Sequence, residues 1–516
     1  MTPVRRALNP VISALTVLLT AVTAVTAVLT AGVTLGVVAP AGAAQTQVEL
    51  TPATGGKGVP SLAATNFDLA SVGYEQAEYL LGGTAQSYTS AQPLTTDGKW
   101  TVTPASSASY KTRAVVYRPT DPKKFNGTVI VEWLNVSAGL DSAPIWLAAH
   151  TELVREGFAW VGVSAQSVGV EGGAASAIVA NLDLVHADPA RYGTLDHPGD
   201  SYSYDMYTQT GDAVRSQAKT VLGGLQPKHV IAAGESQSAF RMVTYIDAFG
   251  KLANSPYDGY LVYSRAGNAA PLSQAPQAGV TVPDGTLIRT DLHKPVLTFT
   301  TETDFAVLGS SSAEQPDSTW FREWQVAGTS HADTYTLTVG ATDAGGAQAY
   351  ADQFATMLDP PNKVAGGFIT CDTPINTGPM TYVLRTAIDD LNTWVVDGTA
   401  PPKAPRFDTV PGTSPPQFRT DADGNVQGGI RTPQVDTPVA QLSGLGQSGA
   451  GFCKIFGTTK PYDATKLASL YRSHATFVQQ WNHAVSDAVQ SGFLLKVDAK
   501  GLRSAARSST VGGAAQ

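Results

Sequence analysis

The sequence predicts an α/β fold, with a mostly parallel central sheet covered by helices on both faces. Three observations carry this. Residues 128–134 and 158–164 are short, almost unbroken apolar runs, as expected of strands buried on both faces. Such runs alternate with helical stretches, the pattern of a parallel sheet with crossover helices. The 516 residues are 43% hydrophobic and 15% charged, enough apolar material for a sizeable core. Fifty glycines and 32 prolines add many loops and argue against a plain helix bundle.

The elements follow in order. Residues 110–117 alternate like a strand, and Pro119 stops it. The two apolar runs come next. Residues 188–207 are polar and rich in tyrosine, with few core residues expected; Tyr192, Tyr202, Tyr204 and Tyr207 fit either pocket lining or packing. A helix is expected over 206–225, a strand over 229–233 and a helix over 237–249. Further strands are expected at 257–263, 295–300 and 323–326. After His331 the texture changes. Residues 381–396 read as a helix ended by Gly398 and Pro401-Pro402, and 397–450 as an ordered, loop-heavy excursion. Residues 467–491 form an amphipathic helix pattern, and the small, polar tail after about Ser504 is expected to fray. The implied organisation is a targeting segment over 1–44 and one domain over 45–505. That domain has its core at about 66–345 and a C-terminal elaboration over 346–505. A flexible tail over 506–516 follows.

The N-terminus reads as an export signal. Arg5 and Arg6 form a positive start, no charged residue then appears before Glu49, and the stretch ends in Ala41-Gly42-Ala43-Ala44. Cleavage is expected after Ala43 or Ala44. The alternative is an uncleaved anchor, since the uncharged run exceeds the ~20 residues that span a bilayer. Either way the remainder is exported, with no membrane partner once the signal is removed. In an oxidising compartment Cys371 and Cys453, with no CxxC, point to one disulfide that ties the C-terminal region to the middle of the chain; two buried thiols are the alternative. The net charge of −8 gives no support to nucleic acid or an anionic membrane as partner.

Gly234-Glu235-Ser236-Gln237-Ser238 follows the apolar run 229–233 directly. A small-residue turn that presents a serine between a buried strand and a helix is how α/β-hydrolases expose a nucleophile, although Ser238 stands where G-x-S-x-G has glycine. Serine is a weak nucleophile. It needs an imidazole as base and a carboxylate to orient that imidazole. The order Ser, acid, His is available. Glu302 and Asp304 both follow the strand at 295–300; the usual spacing favours Asp304, with Glu302 as the alternative acid. His331 ends a strand–Gly–loop segment 27 residues past Asp304. His229 and His293 precede their strands and so fall at the wrong end of the sheet, and the other histidines lack a strand-to-loop setting. An oxyanion needs fixed N–H donors. Gln237, after the serine, supplies one, and Asn135 or Val136, after the strand at 128–134, the other.

No metal or organic cofactor is implied. Asp421-Ala422-Asp423-Gly424-Asn425 starts like a calcium loop, but Val426 stands at position six and Thr432 at position twelve. The sequence has no HExxH and no P-loop lysine motif, and no GxGxxG is expected after a strand.

Several longer motifs resemble those of the bacterial "alpha/beta hydrolase domain-containing" proteins. They are Val131-Glu132-Trp133-Leu134-Asn135-Val136, Arg191-Tyr192-Gly193 with His197-Pro198-Gly199-Asp200, the GESQS elbow, and Ala327 through Asp333. Gly428-Gly429-Ile430-Arg431-Thr432-Pro433 and Cys453-Lys454-Ile455-Phe456-Gly457 also fit. The resemblance runs from about 60 to 505. It implies an α/β-hydrolase fold with a cap insertion and a C-terminal elaboration, and a G-x-S-Q-S elbow in which Ser238 belongs. The residues and the resemblance together predict a secreted serine hydrolase acting on a small-molecule or polymeric ester. The rival from another class is a non-catalytic exported protein that binds a ligand or glycan on the same scaffold.

Overall fold

Alternate residues of two neighbouring strands supply two separate cores. Val129, Val131, Trp133, Val230 and Ala232 point into one, and Ile130, Ile231 and Ala233 into the other. This two-sided burial explains why these strands read as continuous apolar runs. The computed structural model describes residues 47–173, 180–252 and 255–512, all within one unit, Thr46–Gln516. The expected export signal lies outside the described residues. No helix among them is long and apolar enough to cross a membrane.

Among the described residues nine strands form the central sheet. They are β1 (Glu49–Pro52), β2 (Tyr74–Thr89), β3 (Thr103–Pro119), β4 (Thr128–Trp133), β5 (Ala159–Val163), β6 (His229–Glu235), β7 (Gly259–Tyr263), β8 (Val296–Thr301) and β9 (Phe321–Val326). Their order is β1-β2-β3-β5-β4-β6-β7-β8-β9. From β5 to β9 every neighbouring pair is parallel, whereas β1, β2 and β3 form an antiparallel flank joined to β5. The sheet is therefore mostly parallel, as expected. The long strand β2 had no clear signature, because Gly82 and Gly83 interrupt it and polar residues are mixed along it.

Helices α1 (Pro144–Arg155), α2 (Ser203–Ser216), α3 (Gln237–Phe249), α4 (Met380–Asp397), α5 (His474–Gln490) and α6 (Lys496–Ser508) clothe this sheet and the C-terminal region. α2 and α3 pack into the first core, α1 and α4 into the second. The start of α1 is held by Glu132, whose carboxyl oxygens accept the N–H groups of Ile145 (2.9 Å) and Trp146 (3.1 Å), two of the donors that a helix start leaves unpaired.

The tyrosine-rich stretch departs from expectation. Tyr192, Tyr202, Tyr204 and Tyr207 are buried. Tyr207 packs on Trp133 and Tyr257 and donates to the Val131 carbonyl, and Tyr192 donates to Glu78, so all this is packing. The helix expected over 467–491 is two, Ala464–Leu470 and α5, because the Ser473 hydroxyl accepts the Thr476 N–H and starts a new helix. The tail expected to fray after Ser504 is instead helical through Ser508. Ala499, Leu502, Ala505 and Ala506 bury one face of α6 beside Phe477 and Trp481, and Val511 joins them. Small residues read as a frayed end because the apolar stripe they form is shallow.

The excursion over 397–450 returns to the open edge of the sheet. The Ala327 N–H donates to the Ile430 carbonyl and the Ile430 N–H to the Gln325 carbonyl, so the GGIRTP motif extends the sheet beside β9. Cys371 and Cys453 form the expected disulfide, 82 residues apart.

Candidate active site

The carboxyl ends of β6, β8 and β9 place three side chains in line. β6 passes into Ser236, which takes φ 56° and ψ −125° before α3 begins. A side chain in this left-handed region carries about 1–3 kcal/mol of strain, and the surroundings must hold it there. They do so closely. A Cβ on Gly234 would come within 2.6 Å of the Ser238 carbonyl oxygen, so the turn needs glycine there. The Ser236 N–H donates to the Tyr263 carbonyl (3.1 Å), and the buried Ser238 hydroxyl donates to the Leu134 carbonyl (3.1 Å). Ser238 thus ties the elbow to the loop after β4, a bond that glycine at this position lacks.

β8 ends at Thr301 and turns into the short helix Glu302–Ala306. Its capping box fixes Asp304. The Asp304 N–H donates to the Thr301 hydroxyl (3.3 Å), and Asp304 Oδ2 accepts the Thr301 N–H (2.8 Å). The remaining oxygen, Oδ1, faces His331 Nδ1 at 2.6 Å. His331 follows β9 through Gly328, which has φ 75°. His331 Nε2 lies 2.7 Å from Ser236 Oγ. Burial disfavours a charged imidazole, but the Asp304 charge and hydrogen bond, with the Glu235 charge, hold the His331 pKa above its ordinary value.

Glu302, the alternative acid, is not beside His331. Its oxygens accept the N–H groups of Gly328 (2.6 Å) and Gly444 (2.7 Å), so it stitches the histidine loop and the C-terminal elaboration to the β8 turn. Burial pushes its carboxyl up to about 7. The two acids diverge because the capping box turns Asp304 back toward the strand end, a relation their spacing in sequence does not reveal.

Asn135 is likewise corrected as a backbone donor. Its N–H is spent on the Ser142 carbonyl (2.9 Å) in a β-bridge. The N–H groups of Val136 and Gln237 donate to nothing among the described residues, unlike that of Asn135. The Asn135 side chain has a different task. Its Nδ2 donates to Glu235 Oε2 at 3.0 Å, and Glu235 Oε1 stands 3.5 Å from His331 Nε2. Sequence reasoning gives Glu235 either a solvent-facing place or a hydrogen bond to a neighbouring loop, and the Asn135 contact is the second of these. It missed Gln166, whose Oε1 accepts from Trp133 Nε1 (3.0 Å) and Gln237 Nε2 (2.8 Å).

No group of three or more His, Cys, Asp or Glu among the described residues could hold a metal ion. Asp421 and Asp423 are paired with Arg431 and Lys466.

The sequence model of the Alpha/beta hydrolase domain family matches residues 47–504. The chain belongs to this family. This hydrolase has no match among curated proteins. Among solved structures it is similar to a Rhizomucor miehei esterase (11% identity, 61% of this chain and 85% of that one, TM-score 0.28). It is also similar to a putative dienelactone hydrolase from Klebsiella pneumoniae (11% identity, 54% and 97%, TM-score 0.27). A third is a thermostable esterase from Pseudomonas putida (14% identity, 51% and 75%, TM-score 0.26).

Proposed function

We propose that this α/β-hydrolase is an exported serine hydrolase that cleaves carboxylic esters. The observation that carries the reading is the continuous relay from Ser236 Oγ through His331 (2.7 Å) to Asp304 (2.6 Å), with the serine on a strained strand-to-helix turn. Ser236 Oγ attacks the ester carbonyl carbon as its proton passes to His331 Nε2. Asp304 fixes the imidazole tautomer and favours its charged form. The Gln237 and Val136 N–H groups take the oxyanion. The imidazolium then protonates the leaving alkoxide, and water, activated by His331, releases the acyl group and frees Ser236. Esters are favoured over peptides because an alkoxide needs less help in leaving than an amine, and because ester cleavage is common on this fold, which is an analogy. Export is supported by Arg5, Arg6, the long uncharged run and Ala41-Gly42-Ala43-Ala44. The Cys371–Cys453 disulfide suits an oxidising compartment.

The test treats the mature protein with a fluorophosphonate and screens a panel of acyl esters, with Ser236→Ala as control. An adduct mapped to Ser236, and turnover lost in the variant, are expected. No adduct and no turnover would favour a binding protein on the same scaffold.

A further inference from the structure

Glu235 has no part in the relay, yet it is only 6% exposed and sits against it. Asn135 holds one of its oxygens at 3.0 Å. The other stands 3.5 Å from His331 Nε2, the nitrogen that also faces Ser236 Oγ at 2.7 Å. His331 therefore lies between two carboxylates, Asp304 at Nδ1 and Glu235 beside Nε2.

A buried carboxylate is costly unless something offsets its charge. Around Glu235, Asp304 on the turn after β8 repels it, Glu132 on β4 is kept protonated by burial and by the Glu235 charge, and Tyr263 on β7 offers a phenol that burial keeps protonated. Asn135 is a neutral donor. Among these neighbours only His331 can be positive, and it becomes so when it takes the serine proton. Burial pushes the Glu235 carboxyl up to about 7, so its charge changes in the range where His331 works.

We propose that Glu235 is a positioning residue for the charged form of His331, a carboxylate held by Asn135 so that it stabilises the imidazolium from the nucleophile side. The proposal rests on the Ser236–His331–Asp304 reading. In the step it assists, the Ser236 O–H bond breaks, an oxygen lone pair forms the bond to the carbonyl carbon, and the proton moves to Nε2. Glu235 neither gains nor loses a proton; the imidazolium later gives its proton to the leaving alkoxide. The same charge raises the basicity of the resting imidazole, so the acid limb of the rate profile lies higher than Asp304 alone would set it.

The test measures kcat/KM against pH for p-nitrophenyl acetate with wild type, Glu235→Gln and Glu235→Asp, alongside melting curves and fluorophosphonate labelling. Glu235→Gln is expected to lower the rate at pH 8 by about tenfold or more and to move the acid limb down by about 1–3 pH units. Glu235→Asp, a retracted carboxylate, should fall between. A folded Glu235→Gln whose rate falls while the limb stays in place marks a structural role and overturns the proposal. A reading that needs no variant is the NMR titration of His331 in wild type; a midpoint at or below about 6.5 also overturns it. Failure of the proposal alone leaves wild-type labelling intact, whereas a wild type that neither labels nor turns over ester overturns the relay itself.

Discussion

Asp304 Oδ1 lies 2.6 Å from His331 Nδ1, while Glu302, two residues earlier on the same turn, gives its oxygens to the N–H groups of Gly328 and Gly444. Exchange of each acid for its amide should therefore separate chemistry from scaffolding. Asp304→Asn removes the acceptor that sets the imidazole tautomer and should lower kcat by about 10³- to 10⁴-fold with little change in melting. Glu302→Gln turns an NH2 group toward one glycine N–H. It should cost about 1–3 kcal/mol of stability and change kcat by less than about tenfold. Paired denaturation and ester assays decide; the reverse pattern would exchange the two roles.

The elbow yields a second prediction. The Cβ of Gly234→Ala would meet the Ser238 carbonyl oxygen at 2.6 Å, and backbone cannot move aside as a side chain end can. Overpacking of this kind costs about 1–3 kcal/mol, and any relief turns the Ser236 hydroxyl away from His331. The variant should melt lower and lose most of its fluorophosphonate reactivity. Ser238→Gly keeps the turn but gives up the bond to the Leu134 carbonyl, so it should keep activity and lose about 1 kcal/mol, read by urea unfolding.

Much of this site was legible because its parts are local. A buried strand, a small-residue turn and a helix are written in consecutive residues, so β6, Ser236 and α3 could be placed from sequence. His331 could be chosen because chain order and strand ends restrict where a base can stand. What was not legible depends on contacts far apart in the chain. Nothing near Glu302 shows that Gly444, 142 residues away, will take its carboxylate. Nothing near Asn135 shows that its amide will reach Glu235, 100 residues away. Likewise Tyr204 and Tyr207 sit in a polar stretch, and rings from other elements, Trp133 against both, Phe249 against Tyr204 and Tyr257 against Tyr207, make them core.

The disulfide closes a loop of 82 residues across the C-terminal elaboration. Chain entropy alone assigns such a closure about 4.5 kcal/mol of stabilisation, and natural disulfides give about 2–5. The double variant Cys371→Ala with Cys453→Ala should lose an amount in that range, and reduced wild type should unfold at the same denaturant concentration as the variant. Oxidised wild type should not react with a thiol reagent until it is reduced. Unfolding midpoints unmoved by reductant would mean that the bond constrains little.

Glu132 links the sheet to pH. Its carboxylate is fully buried and accepts the Ile145 and Trp146 N–H groups and Trp160 Nε1. Burial pushes its carboxyl up to about 8, against the pull of those three donors. A carboxyl whose folded pKa lies above its unfolded value binds more protons in the folded state between the two. Stability from this group is therefore greatest below about 4.5 and is lost as pH rises toward about 8. Glu235 and Glu302, pushed up to about 7, act in the same direction but are largely spent by pH 7. His331, raised as well, also loses its contribution as pH rises. The buried His150 and His197, both lowered, oppose this only on the acid side, where the unfolded state takes up their protons. Wild type should accordingly melt at lower temperature at pH 8.5 than at pH 7. Glu132→Gln cannot ionise, so its melting temperature should fall less across that interval, although it starts lower because one amide oxygen must serve three donors. Scanning calorimetry of both proteins at the two pH values checks the difference in slope; equal slopes would remove Glu132 from the account.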